Sequence, residues 1–243
     1  MARQRKGRSV GILGGMGVYA TLDFLTQVFN FTPNRKNWGN LRIIIDNVIS
    51  IPNIIRAVLF NGPDPRQDII ECIHHCEKIG AEILAVPCNS VHYYYNDIVP
   101  HINIPWINIV EITSREAKKI GKRPLVLGGL VTVEKKLYSE FIPGARYPTL
   151  MENDIVINSI EEIAVTSKLN EQAKEEIRKI IMKYKEKIDS IILACTELSI
   201  VFKNKYILGI PVIDSNLEYA KEVVKWSQRK INHKPASKKK EQK

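Results

Sequence analysis

The 243-residue sequence has few cysteines and no long apolar run, and each shortage excludes a class of protein. Four cysteines are too few for the disulfide framework of a small secreted protein, which indicates free thiols in a reducing compartment. No apolar stretch reaches the length of a membrane-spanning helix, and the basic N-terminus leads into no apolar signal-peptide core. We therefore expect a cytoplasmic protein without a membrane partner.

The net charge of +10 comes almost entirely from the two ends of the chain. Residues 1–8 and 230–243 are rich in Arg and Lys, whereas residues 9–229 are close to neutral. A dedicated nucleic-acid-binding protein usually carries its basic residues on one face of the fold. We therefore expect two basic, mobile tails and no specific nucleic-acid partner.

Two cysteines occupy matching places in the two halves of the chain. Cys88 and Cys195 each follow a short apolar run that is typical of a buried parallel strand. Cys88 precedes Pro105 by 17 residues and Cys195 precedes Pro211 by 16, and a Gly-Gly pair recurs at 14–15 and 128–129. A cysteine that only packs has no reason to recur with polar residues directly after it. We interpret the two thiols as a functional pair on opposite sides of one ligand.

Strand-like and helical stretches alternate along both halves, with Gly and Pro at the joints, which predicts parallel βαβ units. We expect an α/β fold of two similar doubly wound parallel-sheet domains, of Rossmann or flavodoxin type, related by pseudo-twofold symmetry. The first domain would comprise residues 9–109 and 214–229, and the second residues 110–213. Ligands bind beyond the carboxyl ends of such strands, so the active-site cleft is predicted between the two domains.

Polar residues that favour helix N-caps follow each thiol, Asn89 and Ser90 after Cys88 and Thr196 after Cys195. The N–H groups at the start of a helix lower the pKa of a nearby thiol from about 8.5. We therefore expect both thiols to be activated by the helices that follow them.

The segment Gly15–Ala20 matches the dinucleotide-binding pattern G-x-G-x-x-A after a strand. The same glycines are also typical of a tight turn that holds a substrate carboxylate at a helix N-terminus. Recurrence of the Leu-Gly-Gly motif in the second half favours this second interpretation, because one dinucleotide needs only one such turn.

Two further candidates have an ordinary structural interpretation. Cys72, His75 and Cys76 share one helix face, but zinc needs four converging ligands and the sequence has no second cluster, so we predict helix packing and no metal. His92 lies one helical turn beyond Cys88, where it either supports the thiol, as a proton relay for example, or is a polar cap.

Several motifs resemble the aspartate/glutamate racemase family, and most closely its aspartate racemase branch: Gly11–Gly17, Ala20-Thr21, Ile51-Pro52, Gly62–Arg66, Pro87–His92 and Ala194–Leu198. The similarity spans residue 9 to about residue 228. It implies a cofactor-independent amino-acid racemase with two α/β domains around one cleft, as a homodimer, and Cys88 and Cys195 as the catalytic acid/base thiols. Candidate contacts to the amino acid are Gly15, Met16, Asn89, Ser90, Thr132, Thr196 and Glu197.

The sequence departs from the family pattern where a second, side-chain carboxylate would be bound. Ile54 stands where an arginine is expected, and Val165 stands where a lysine is expected. Our hypothesis is that Arg56 and Lys168 substitute for them, and that the reaction converts L-aspartate to D-aspartate. The alternatives are a racemase or isomerase of glutamate, a neutral amino acid or another small carboxylate, and a non-catalytic module that binds a dinucleotide or another ligand.

Overall fold

The computed structural model describes residues 7–33 and 41–229 of the chain. Most of the predicted basic tails, residues 1–6 and 230–243, therefore lies outside the described residues. Arg8 was assigned to the N-terminal tail, but its backbone N–H donates to the carbonyl of Ser227 at 2.7 Å. Arg8 is thus attached to the folded body.

The first sheet has three parallel strands, β1 (Val10–Gly14), β2 (Ile43–Asn47) and β3 (Ile83–Ala85), in the order β2-β1-β3. An isolated parallel bridge between Leu84 and Trp106 continues the sheet beyond β3. Every residue of β1 and β3 is buried, which explains their continuous apolar sequence.

The second sheet contains β4 (Pro124–Gly128), β5 (Ser190–Ala194), β6 (Tyr206–Ile207) and β7 (Ile210–Asp214) in the order β4-β5-β7-β6. Strands β4, β5 and β7 are parallel, and β6 is an antiparallel edge strand. A parallel bridge between Leu125 and Arg146 adds chain on the outer side of β4.

The two sheets repeat one arrangement. The first sheet runs in the order β2-β1-β3 and ends at Trp106. The second sheet runs in the same way from Arg146 through β4 and β5 to β7. Strands β1 and β4 therefore end at the two Gly-Gly pairs, and β3 and β5 lead into the two cysteine motifs. The predicted α/β class with parallel sheets in both halves is confirmed.

Ten α-helices surround the sheets in the part of the chain that the structure describes. They are α1 (Val18–Phe31), α2 (Ile54–Leu59), α3 (Arg66–Lys78), α4 (Tyr95–Ile98), α5 (Ile109–Lys118), α6 (Leu130–Glu134), α7 (Leu150–Thr166), α8 (Glu171–Tyr184), α9 (Leu198–Val201) and α10 (Ser215–Gln228). Short 3₁₀ helices cover Ser90–Tyr94, Val99–His101 and Lys185–Lys187. None of the described helices is long and apolar enough to cross a membrane.

One hydrophobic core joins the two halves. It contains Val10 and Phe24 from the first half and Val126 and Ile192 from the second. Helix α10 follows β7 of the second sheet and packs against α1, where the rings of Phe24 and Tyr219 lie 5.3 Å apart. The chain thus returns to the first half after completing the second, as the predicted domain division supposes; the residue limits of the two domains stay a prediction.

Candidate active site

A cavity of about 370 Å³ lies at the carboxyl ends of the strands from both sheets. The turns that follow β1, β3, β4 and β5 all reach it. Its polar lining consists of Gly15, Asn53, Cys88, Asn89, Ser90, Gly129, Cys195, Thr196 and Glu197. Its apolar wall consists of Met16, Ile49, Ile51, Pro52, Ile54, Ile55 and Ile160. The two cysteines predicted as a pair therefore meet at one cavity.

The Cys88 thiol keeps part of its surface open to the cavity but is otherwise enclosed by protein. Burial raises the pKa of this thiol to about 12, backbone N–H groups of Val91 and Ser90 lower it, and the charge of Glu197 raises it. The expectation that the following helix lowers the pKa was wrong in its net sign. The N–H groups are present, but the cost of desolvating a thiolate is larger.

The Cys195 thiol has a different neighbour. Its Sγ–H donates to Oε2 of Glu197 at 3.0 Å. Burial, the charge of Glu197 and this hydrogen bond together raise the pKa of Cys195 well above its ordinary value. Cys195 therefore holds its proton firmly, in a hydrogen bond to the carboxyl group of Glu197.

Glu197 lies between the glycine-rich turn and Cys195, and only 7% of its surface is exposed. Burial raises its pKa, although hydrogen bonds from Cys195, from its own backbone and from Thr196 oppose that shift. Gly17 has φ of 132°, and a Cβ atom there would collide with Oε1 of Glu197. The glycine of this turn thus makes room for the carboxylate.

Asn89 is held on two sides by buried groups. The Tyr138 hydroxyl donates to its Oδ1 at 2.7 Å, and its Nδ2 donates to the Ser215 hydroxyl at 3.1 Å. An amide carries two N–H groups, so one remains beyond this bond, and Asn89 lines the cavity. The predicted N-cap role was wrong, because the Asn89 side chain makes no cap hydrogen bond to the 3₁₀ helix.

Thr196 connects the two cysteine turns. Its hydroxyl donates to the carbonyl of Pro87, the residue before Cys88, at 3.1 Å. The helix that follows it, α9, has no side-chain cap hydrogen bond either. The polar residue after Cys195 therefore fixes the distance between the two turns instead of capping a helix.

His92 supports the Cys88 turn from behind. Its Nε2 accepts from the backbone N–H of Ile109 at 3.3 Å, so the proton lies on Nδ1, which donates to the Cys88 carbonyl at 2.7 Å. Burial lowers the pKa of His92 to about 4, and its ring packs 4.8 Å from that of Trp106. Both ring nitrogens are engaged in these bonds, so His92 holds the Cys88 backbone from outside the cavity lining.

Three predicted contacts do not line the cavity. Arg56 lies in a neighbouring depression beside Phe60 and Glu161, because it stands two residues after Ile54 on α2 and successive helical residues turn by about 100°. Lys168 is exposed beyond the end of α7, which Ser167 ends with φ of 56°. Thr132 is fully buried, and its Oγ1 has no hydrogen-bond partner among the described residues.

The Cys72 and Cys76 thiols are free and buried where α3 packs on the first sheet. Burial raises the pKa of both. No group of three potential metal ligands of the His, Cys, Asp or Glu type occurs among the described residues. These two cysteines are part of the packing between α3 and the sheet.

The sequence gives no local signal for three residues that shape the site. Tyr138 and Ser215 hold Asn89 from positions 49 and 126 residues away. Tyr219 accepts from the Val86 N–H at 3.0 Å and donates to the Ile107 carbonyl, which fixes the chain just before Cys88. All three are contributed by distant segments, and only the tertiary structure brings them to the cysteine turn.

Comparisons with known proteins agree on one family. A family model described as Asp/Glu/hydantoin racemase matches residues 13–223. The broad specificity amino-acid racemase RacX of Bacillus subtilis (strain 168) is 27% identical over 229 residues, which cover 88% of this chain and 96% of that protein.

Solved structures agree with this result. The Picrophilus torridus aspartate racemase superposes with a TM-score of 0.81 at 28% identity, covering 92% of this chain and 96% of that one. An aspartate racemase homologue from Pyrococcus horikoshii OT3 has a TM-score of 0.75 at 24% identity, covering 91% and 100% of the two chains. The second comparison supports the shared two-domain fold.

Proposed function

Because this chain belongs to the Asp/Glu/hydantoin racemase family, we propose that it inverts the α-carbon of an amino acid, with Cys88 and Cys195 as the two proton-transferring groups. Racemases of this family work without pyridoxal phosphate. The protein groups around the substrate must therefore make the α-proton acidic enough to be removed. The observation that carries the proposal is that two thiols from matching strand ends share one cavity.

The reaction needs one base and one acid on opposite faces of the α-carbon. One thiolate removes the α-proton while the other thiol donates its proton from the opposite side, so the enzyme ends with the two protonation states exchanged. The reverse direction uses the same groups in the opposite roles. Each group must come within hydrogen-bond reach of the proton that it handles.

Both thiols have raised pKa values, so a thiolate must form when the substrate binds. The positive α-ammonium group of an amino acid would favour a thiolate beside it. At Cys88, the N–H groups of Ser90 and Val91 would share that role. At Cys195, we assign Glu197 as the group that takes the thiol proton, and their 3.0 Å hydrogen bond supports this role.

The remaining polar groups suit the backbone of an amino acid. The unused N–H of Asn89 and the hydroxyl of Ser90 lie on the cavity wall and can donate to an α-carboxylate. Such fixed donors also stabilise the negative charge that spreads onto the carboxylate as the α-proton leaves. The bonds from Tyr138 and Ser215 to Asn89 keep its donor in one position.

The proposal is tested by incubating the protein with a panel of L- and D-amino acids in D₂O. Proton NMR reports loss of the α-proton signal, and chiral chromatography reports the opposite enantiomer. We expect both to appear together for at least one amino acid, without added cofactor. Absence of exchange and inversion across the panel by folded protein would overturn the proposal.

The predicted homodimer and the cytoplasmic location are carried forward as proposals. Light scattering coupled to size exclusion tests the first, with a mass twice that of the 27.7 kDa chain expected. A monomer that is fully active would overturn it.

A further inference from the structure

Most of the apolar lining of the cavity is formed by five isoleucines, the isoleucine wall. The segment between β2 and α2 contributes Ile49 and Ile51 beside the polar Asn53, the start of α2 contributes Ile54 and Ile55, and α7 contributes Ile160. Ile54 is 7% exposed and belongs to the hydrophobic core beneath the cavity, whereas Ile49 at the rim is 73% exposed. A substrate side chain that lies against these isoleucines meets mostly hydrocarbon.

No lysine, arginine or histidine is among the described residues that line the cavity. Arg56 lies in the neighbouring depression beside Glu161, and Lys168 is exposed beyond the end of α7. Glu197 is the one carboxyl group on the described wall, and its charge would repel a second carboxylate. A dicarboxylic amino acid would thus find no cationic partner for its side-chain charge among these residues.

These two observations favour one class of substrate. A carboxylate that leaves water for a largely apolar lining with no cationic partner loses free energy, whereas an aliphatic side chain gains free energy there. We propose that the isoleucine wall selects an amino acid with a neutral, aliphatic side chain over aspartate and glutamate. This inference rests on the proposed function and specifies its substrate class.

The first test compares leucine, methionine and valine with aspartate and glutamate as substrates of the wild-type protein. We expect kcat/KM for the best aliphatic amino acid to exceed that for aspartate by about tenfold or more, because an unpaired buried charge costs at least one charged hydrogen bond. An equal or higher kcat/KM for aspartate would overturn the inference and leave racemisation itself intact.

The second test places a cation on the apolar wall. Ile54→Arg should shift the ratio of aspartate to leucine kcat/KM by about tenfold toward aspartate, through one charge-assisted hydrogen bond. Ile49→Arg repeats the test at an exposed position that tolerates the change if Ile54→Arg does not fold. Ile79→Arg is the matched control, since Ile79 is 57% exposed at the end of α3, outside the cavity. Unchanged ratios in the folded cavity variants would contradict the inference.

Binding separates this inference from the proposed function. Calorimetric titration of the wild-type protein with leucine and with aspartate reports side-chain preference without turnover. Tighter binding of leucine by a protein that racemises nothing would overturn the proposed function and support the apolar side-chain site. Tighter binding of aspartate would overturn the inference, whatever the turnover.

Discussion

The turns that carry Cys88 and Cys195 end equivalent strands, yet they surround their thiols differently. Cys88 has the backbone N–H groups of Ser90 and Val91 near its sulfur, whereas Cys195 has a hydrogen-bonded carboxylate, that of Glu197. Burial raises the pKa of both thiols, and Glu197 adds more to Cys195. The repeated strand thus places each sulfur at the cavity, and the residues after it decide how firmly that sulfur holds its proton.

The largest expected effect comes from removing either sulfur. Cys88→Ser and Cys195→Ser should each lower racemisation in both directions by about 100- to 10,000-fold, the usual contribution of a general acid or base. Enantiomer formation followed by chiral chromatography measures this. Cys72→Ser is the matched control, because Cys72 is buried and does not line the cavity. Near-normal turnover in either cavity variant would show that the two turns are not an acid/base pair.

Glu197→Gln makes the surroundings of Cys195 more like those of Cys88. Removing the negative charge should lower the pKa of Cys195, and lower that of Cys88 by less, since only Cys195 also loses a carboxylate hydrogen bond. Alkylation with iodoacetamide at graded pH, resolved by mass spectrometry, should show the Cys195 midpoint move to lower pH. Turnover should fall despite the more acidic thiol, because the proton acceptor is gone. An unchanged midpoint would contradict the difference drawn between the turns.

Tyr138→Phe tests the support of the Cys88 turn. It leaves the buried Oδ1 of Asn89 without its hydroxyl donor, which costs about 1–3 kcal/mol of unfolding free energy. Thermal unfolding should show a lower midpoint, and kcat/KM should fall as Asn89 loses its fixed orientation. Tyr206→Phe at an exposed edge strand is the control. Equal stability of the two variants would show that Asn89 does not depend on this bond.

The smallest effect is expected at Arg56, which the sequence analysis proposed as a contact to the side-chain carboxylate of the substrate. Because Arg56 is exposed and faces the depression beside Glu161, Arg56→Ala should leave the kinetics with every amino acid within about twofold of the wild type, as for a surface substitution. Steady-state rates with aspartate and leucine measure this. A selective loss of aspartate turnover would restore the original interpretation.

The fold and the position of the thiols could be predicted because their signals are local. Apolar runs bounded by Gly and Pro mark β3 and β5, and Cys88 and Cys195 follow directly after them. The net pKa shift of the thiols could not be predicted. The sequence shows that Ser90 and Val91 follow Cys88 with their N–H groups, but it does not show the burial that outweighs them.

Side-chain direction was the other feature that the sequence left open. Arg56 lies two residues after Ile54, the position where an arginine is expected. Two residues along a helix turn a side chain to another face. Lys168 follows a left-handed residue that ends α7, so the helix does not carry it toward the cavity. The partners of Asn89 come from distant segments: Tyr138 lies between α6 and α7, and Ser215 begins α10, which packs against the first half.

Stereospecific exchange tests the central claim most directly. Cys88→Ser and Cys195→Ser are each incubated in D₂O with the pure L- and the pure D-amino acid, and proton NMR follows the α-proton. If the thiols act from opposite faces, one variant should exchange the α-proton of one enantiomer only, and the other variant that of the opposite enantiomer. Exchange of the same enantiomer by both variants would contradict the two-thiol account.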